Sequence, residues 1–252
     1  MHKILYKGND LRLFLTYLLS FSLLFAAQNV TEEFDAEFNN ASNETLFDPL
    51  SSYNEAMTTF NDSFYEYALK PLAEGYAYLV PKMARNGIAN FFDNLLFPIR
   101  FTNTLLQMKF TDAFEETERF VINSTMGIVG FNDLANSELG LKPHDEDLGQ
   151  TLGHYGVGNG FHIVLPFLGP SNARDVVGLA GDMWLNPLSY IEARHANLLK
   201  NQEQSLGAMA LSTINKTSLH VKEYEEFKKD AIELYPFLRN VYESRRDKLI
   251  HE

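Results

Sequence analysis

The sequence predicts an all-α fold, and three observations carry that reading. Apolar residues recur at helical spacing along much of the chain, as in Tyr53, Met57, Phe60 and Phe64. All nine prolines fall where such stretches would begin or end. Only Ile163 to Phe167 resembles a strand, and alone it is too short to build a sheet.

The elements follow in chain order. Lys3, Lys7 and Arg12 precede an apolar stretch from Leu13 to Ala27, shorter than the ~20 residues of a membrane span. Residues 1–27 therefore read as an export signal or an uncleaved leader; a cut after Ala27 would leave bulky Phe25 where a small residue is preferred. Residues 28–47 are polar and acidic, and read as a flexible tether. Asp48-Pro49 has the form of an N-cap followed by a first-turn proline, opening the helical part over 48–252. Ile88 to Phe110 is greasy, with Phe91, Phe92, Leu95, Leu96 and Phe97 as its densest part, yet Asp93, Pro98 and Arg100 interrupt it. Two readings stay open for it: a buried helical hairpin, or helices within one membrane leaflet whose charges point inward. Thr111-Asp112 opens a further helix, in which Glu115 and Arg119 are spaced to pair. Ser171 is placed to cap a helix running towards Trp184, and Asn186-Pro187 to start another carrying Ile191, Leu198 and Leu199. Val221, Tyr224, Phe227, Ala231 and Leu234 form a last stripe, after which Arg245, Arg246 and Lys248 read as a solvated face.

One segment breaks the pattern. More than half of the 15 glycines lie between Gly127 and Gly169, most densely from Leu148 to Gly160. Glycine at this density costs backbone entropy and breaks helices, so a loop or hairpin is expected there.

Composition excludes several functions. Lysine plus arginine number 21 against 33 aspartate plus glutamate, a net charge of −12, and no basic cluster could neutralise nucleic-acid phosphates. With no cysteine there is no disulfide, thiolate metal site or cysteine nucleophile. Gly156-Val-Gly158-Asn-Gly160 is not a dinucleotide fingerprint, because Phe161 stands where the third glycine belongs. His144, His154 and His162 lack the spacing that puts two metal ligands on one helix face, so they read as packing or hydrogen-bonding histidines and no metal or other cofactor is expected. No GxSxG elbow marks a nucleophile.

An ordered set of motifs resembles the MlaA/VacJ family. It comprises Asp48-Pro-Leu with Tyr53-Asn54 and Phe60-Asn61, then Pro81 and Ala84-Arg-Asn-Gly-Ile-Ala-Asn-Phe91, then Arg119 to Gly127 with Gly130-Phe131 and Asp133-Leu-Ala135. The segment Leu148 to Gly160 follows, then Leu165 to Ser171 with Arg174-Asp175, and finally Tyr235 to Arg239 with Tyr242 and Arg245-Arg246. The resemblance implies a helical doughnut in the inner leaflet of a bacterial outer membrane, exposed to the periplasmic face. It implies a non-catalytic role: phospholipids leave the membrane through a central channel towards a periplasmic lipid-carrier protein, beside a trimeric porin. Phe60, Asn61, Arg85, Asn86, Asn90, Arg174 and Asp175 are the motif positions it singles out. A structural helical scaffold in the outer membrane, acting on lipids indirectly, is the alternative.

Physical chemistry suits such a task. Carrying a two-chain phospholipid through water exposes about 30 methylenes at roughly 0.8 kcal/mol each, on the order of 20 kcal/mol. Shielding the chains and wetting the headgroup removes most of that barrier without a catalytic group. Within this reading Leu148, Thr151, Leu152, Gly153, His154, Tyr155, Gly156, Val157, Gly158 and Gly160 are expected to shape and gate the lipid path, against the alternative of a static loop closing the fold. Phe91, Phe92, Leu95, Leu96 and Phe97 are the candidates for facing lipid. Most members of the family it resembles are lipoproteins whose leader ends in cysteine, whereas Leu24-Phe25-Ala26-Ala27 has alanine there, so attachment is expected without a cysteine-linked lipid.

Overall fold

A computed structural model describes residues 48–189, 198–229 and 231–252. The leader and tether expected over residues 1–47 lie outside the described residues, as does Ile191.

The chain enters on α1 (Ser51–Phe64), which passes through a π-helical turn (Tyr65–Leu69) directly into α2 (Lys70–Leu79). Pro71 causes the π turn. Its ring has no room for a normal carbonyl one turn back, and Lys70 N–H reaches Tyr65 O instead, widening the helix without ending it. Pro71 thus lies inside a continuous helix rather than at a boundary. Pro81 then starts α3 (Lys82–Leu95), and Pro98 sits in the first turn of α4 (Phe97–Leu106).

α5 (Phe110–Thr125) packs along α4, and a stack of Phe97 on Phe120 with centroids 4.4 Å apart joins them. A tight turn leads to the short α6 (Leu134–Leu139), whose N-cap Asp133 accepts from Asn136 N–H. α7 (Leu148–His154) and α8 (Ala173–Leu185) flank a β-hairpin, and the long α9 (Gln202–Lys229) and α10 (Leu234–His251) complete the chain. α9 lies against α2 and α3. Apart from Met209 and Lys216 its buried residues are small and polar: Ser205, Ser212, Thr213 and Asn215.

The hairpin corrects the expectation of no sheet. β1 (His162–Leu165) pairs antiparallel with β2 (Gly169–Asn172), with His162 opposite Asn172 and Leu165 opposite Gly169. A bare hairpin is marginal in water, but α1 holds this one. Asn54 Oδ1 accepts from Val164 N–H at 2.8 Å and its Nδ2 donates to His162 O at 3.1 Å. Asn61 Nδ2 donates to Leu165 O at 2.9 Å, while Phe60 and Phe64 close edge-on around Phe167 at the turn.

Several local expectations shift for physical reasons. Asp48 is no N-cap: α1 starts behind Leu50, and Asp48 accepts instead from Asn54, Tyr235 and Arg239. The buried side of α1 is not the Tyr53 stripe, whose Tyr53 and Phe60 are exposed, but the polar Asn54 and Thr58. Glu115 and Arg119 do not pair; Glu115 meets His144, and Arg119 meets Glu116 and Asp133. Asn172, one residue after Ser171, caps α8. Pro187 and Leu188 lie in a turn and Leu198 in a bend, so the described ends of the predicted Asn186 helix are not helical. The last stripe is split, since α9 stops at Lys229 and α10 begins at Leu234.

Among the described residues, buried polar and charged side chains outnumber buried apolar ones. That inverts the usual composition of an interior. The apolar core is small, built on Phe92, Leu188 and Met209 with Ile88, Phe91, Leu95 and Met183 packed against it.

Candidate functional site

The polar interior opens into a cavity of about 200 Å³ between α3, α4, α5, α9 and the segment before α7. Asn90, Asp93 and Asn94 enter from α3, Arg100 from α4, and Arg119 and Asn123 from α5. Asp133, Pro143 and Asp145 close one side, and Lys216, Leu219 and His220 of α9 the other. The helices carry charges inward because lining such a space keeps them near water while their partners neutralise them.

Those partners are specific. Lys216 Nζ lies 2.6 Å from Asp93 Oδ1. Arg100 Nε lies 2.7 Å from Glu116 Oε2, and its Nη1 donates to Asp93 O at 2.9 Å. Burial works against the Arg100 guanidinium, but Glu116 outweighs it and raises the pKa. Arg119 Nη2 lies 3.3 Å from Asp133 Oδ2, while Asn123 joins Asp133 Oδ1 at 2.8 Å and receives Ala135 N–H at 3.0 Å. Asp145 has its pKa raised by burial, which Arg100 only partly offsets.

A second cluster lies around α7. Arg246 of α10, expected on a solvated face, is buried; Nη1 and Nη2 hold Asp147 at 2.6 and 2.8 Å, and Nη2 reaches Asp175 at 2.9 Å. Tyr242 and Arg174 also bond Asp175. Leu148 to His154 forms a helix here, against the expectation of a loop throughout. Asp147 caps it by accepting from Gln150 N–H at 2.7 Å, and its glycines are contacts rather than hinges. A Cβ on Gly178 would come within 2.3 Å of Gly149 N, so α7 and α8 cross at a distance only glycine allows. Thr151 donates to Asn103, Gly153 lies beneath Ile250, and Leu152 is half-buried.

The other half of the predicted gating segment is exposed. His154 packs edge-on to Tyr155, Gly156 has φ +83, and Val157, Gly158 and Gly160 face outward with Phe161. Tyr155 OH donates to Leu106 O, fastening this tip to the end of α4.

The remaining motif positions disperse. Phe60 and Asn61 clasp the β-hairpin, Arg174 and Asp175 join the Arg246 cluster, and Arg85 ties α3 to α9 through Ser218. Asn86 is exposed, and Asn90 alone among these positions lines the cavity. Sequence reasoning missed Arg119, Asp133, Asp145 and Lys216. Asp93 and Arg100 carried the usable signal, as charges interrupting a greasy stretch.

Apolar side chains gather on the outside instead. Met108, Phe110, Phe114 and Val121 project from α5 and the turn before it, and Met126, Ile128 and Val129 from the turn after it. Tyr78, Leu79 and Met83 form a second group where α2 meets α3. Phe92, a candidate for facing lipid, is core, and Phe91, Leu95, Leu96 and Phe97 are half-buried. No described helix is long and apolar enough to cross a membrane.

A polar, ion-paired interior with large apolar side chains exposed on the outside defines a class: a mostly helical protein whose polar groups lie within and whose apolar groups face out. The MlaA lipoprotein model matches residues 46–249, and the chain belongs to that family. The intermembrane phospholipid transport system lipoprotein MlaA of Escherichia coli is 32% identical over 205 residues, 79% of this chain and 77% of its own length. An uncharacterised protein of Rickettsia bellii is 30% identical over 216 residues, 83% of this chain and 81% of the relative. A solved structure described as the structural basis for maintenance of bacterial outer membrane lipid asymmetry superposes with a TM-score of 0.68 at 29% identity. That superposition covers 81% of this chain and 99% of the other.

Proposed function

We propose that this chain takes phospholipid out of the outer membrane through its polar cavity, on the periplasmic face, and releases it towards a periplasmic lipid carrier beside a trimeric porin. As an MlaA protein it serves intermembrane phospholipid transport and outer-membrane lipid asymmetry, and it is not an enzyme. The observation that carries the route is the neighbourhood of the ion-paired cavity and the exposed apolar groups of α5. A headgroup finds hydrogen-bonding partners inside while its chains keep apolar company outside, which is the arrangement a doughnut-like ring of helices would need. With no cysteine in its 252 residues, the chain offers no cysteine for lipid attachment, and the exposed apolar side chains are the attachment this reading assigns.

A pair of substitutions tests the reading. Each charge placed among these apolar side chains costs up to roughly 2.5–3.5 kcal/mol of membrane affinity, so Phe110→Asp with Phe114→Asp should release a folded protein from membranes and strip its lipid. Phe92→Asp should instead unfold it, because a lone charge in the core has no compensation. Circular dichroism, fractionation and lipid mass spectrometry read both. A folded Phe110→Asp, Phe114→Asp variant still membrane-bound and lipid-loaded would overturn the assignment.

A further inference from the structure

Counted with the buried Glu116, which pairs with a lining arginine without lining the space itself, the cavity leaves one carboxylate over. Lys216 is matched by Asp93 at 2.6 Å, Arg100 by Glu116 at 2.7 Å and Arg119 by Asp133 at 3.3 Å. Asp145 lines the same space, and among the described residues its carboxylate makes no ion pair and no hydrogen bond. We propose that Asp145 receives the ammonium of a phospholipid headgroup, so that the cavity selects lipids carrying a primary amine over lipids with anionic glycerol headgroups.

This proposal rests on the lipid-transport reading and adds the class of lipid. A carboxylate removed from bulk water without a partner is unfavourable, and a ligand that brings a cation relieves the cost. Burial already raises the pKa of Asp145, the mark of a carboxylate short of positive charge. An anionic headgroup would add to the surplus negative charge, whereas an ammonium offers three donors and cancels it. The position is built rather than incidental. Gln150 Nε2 donates to Asp145 O at 2.6 Å, and Glu146 N–H donates to His144 O at 2.8 Å, fixing the backbone on both sides of the residue. The phosphate of the same headgroup has a partner near at hand. Arg100 is the cation that acts most strongly on Asp145, and with Nε and Nη1 bound to Glu116 and Asp93 O it keeps Nη2 untaken by the described residues.

The experiment incubates the full chain with vesicles of phosphatidylethanolamine and phosphatidylglycerol in equal amounts, recovers it, and measures bound lipid by mass spectrometry. Total lipid per protein reports the transport reading, and the ratio of the two lipids reports this proposal. The unmodified protein should favour phosphatidylethanolamine roughly tenfold, the value of one charge-assisted hydrogen bond. Asp145→Asn should bring the ratio to about one through loss of bound phosphatidylethanolamine, Asp145→Lys should reverse it, and Asp145→Glu should keep it. Bound lipid without preference, a preference for phosphatidylglycerol, or an unchanged ratio in Asp145→Asn would overturn the proposal alone. Absence of any bound lipid on the unmodified protein would overturn the transport reading and the proposal with it.

Discussion

Replacing Arg246 with methionine removes the one cation shared by Asp147 and Asp175 while keeping an unbranched stem in its place. All three groups are buried, and the guanidinium reaches both carboxylates at 2.6 to 2.9 Å. Breaking a buried pair from one side costs about 3–5 kcal/mol, because a charge is left without compensation. Asp147 is stranded while Asp175 keeps Arg174 at 2.9 Å, so the middle of that range applies, a large share of the about 5–15 kcal/mol that holds a domain folded. The loss should depend on pH. Burial opposes charge on Asp147, but Arg246 and the Gln150 N–H overcome it and hold the pKa below the ordinary carboxylate value. A depressed folded pKa gives stability that is present above the unfolded pKa, about 3.9, and is lost only as pH falls through the lower folded value. In the variant only the Gln150 hydrogen bond opposes burial, the folded pKa rises, and protonation relieves the strain. Urea denaturation in mild detergent, followed by circular dichroism, should show the full loss at pH 7 and a smaller one near pH 5. Adding Asp147→Asn and Asp175→Asn should recover part of the stability. An equal loss at both pH values, or stability like that of the unmodified protein, would refute the assignment of Arg246 as the charge that locks α7 in place.

Two more outcomes are expected. Asp182 is almost fully buried and bonds Leu148 N–H and Asn103, and burial with the nearby Asp147 raises its pKa to about 7. Its contribution is therefore greatest below the unfolded pKa and is lost as pH rises through 7. The three-unit difference amounts to roughly 4 kcal/mol over that window, and Asp182→Asn should flatten the rise in melting temperature between pH 8 and pH 5. Gly158 tests the gate: a Cβ there meets nothing within 4 Å and its φ is not positive, so Gly158→Pro should fold normally. If the tip from Tyr155 to Phe161 must move for lipid to pass, transfer between vesicles should fall severalfold; transfer at the unmodified rate would make the tip scaffolding.

The helical character of the chain was legible because proline, N-caps and apolar spacing report on backbone geometry, which does not depend on the solvent outside. The orientation of those helices was not. In water, a stripe such as Tyr53, Met57, Phe60 and Phe64 marks the buried face. Here Asn54 and Thr58 take that place, and Phe114 and Met126 stay outside. A periodicity argument finds a helix from either face, but it names the inside only when the solvent is known. Pro71 shows the same limit at one residue: its missing N–H marks a break, yet a widened π turn absorbs it and the helix continues. The glycines of Leu148 to Gly160 show it over a segment. Density of glycine says only that side chains are absent, and two different structures need that. At Gly149 the Asp175 carboxylate and the Arg246 guanidinium occupy the space, and the segment is a helix locked against α8 and α10; at Gly156 the backbone itself needs φ +83, and the segment turns. Nothing local separates the two cases, because what fills the space at Gly149 comes from Asp175 and Arg246, far along the chain. The charges told more than the glycines did. Asp93 and Arg100 stand in a stretch whose other residues are greasy, and a charge retained there needs a partner or water. Lys216 and Glu116 are those partners, and Asp93, Arg100 and Lys216 line the cavity.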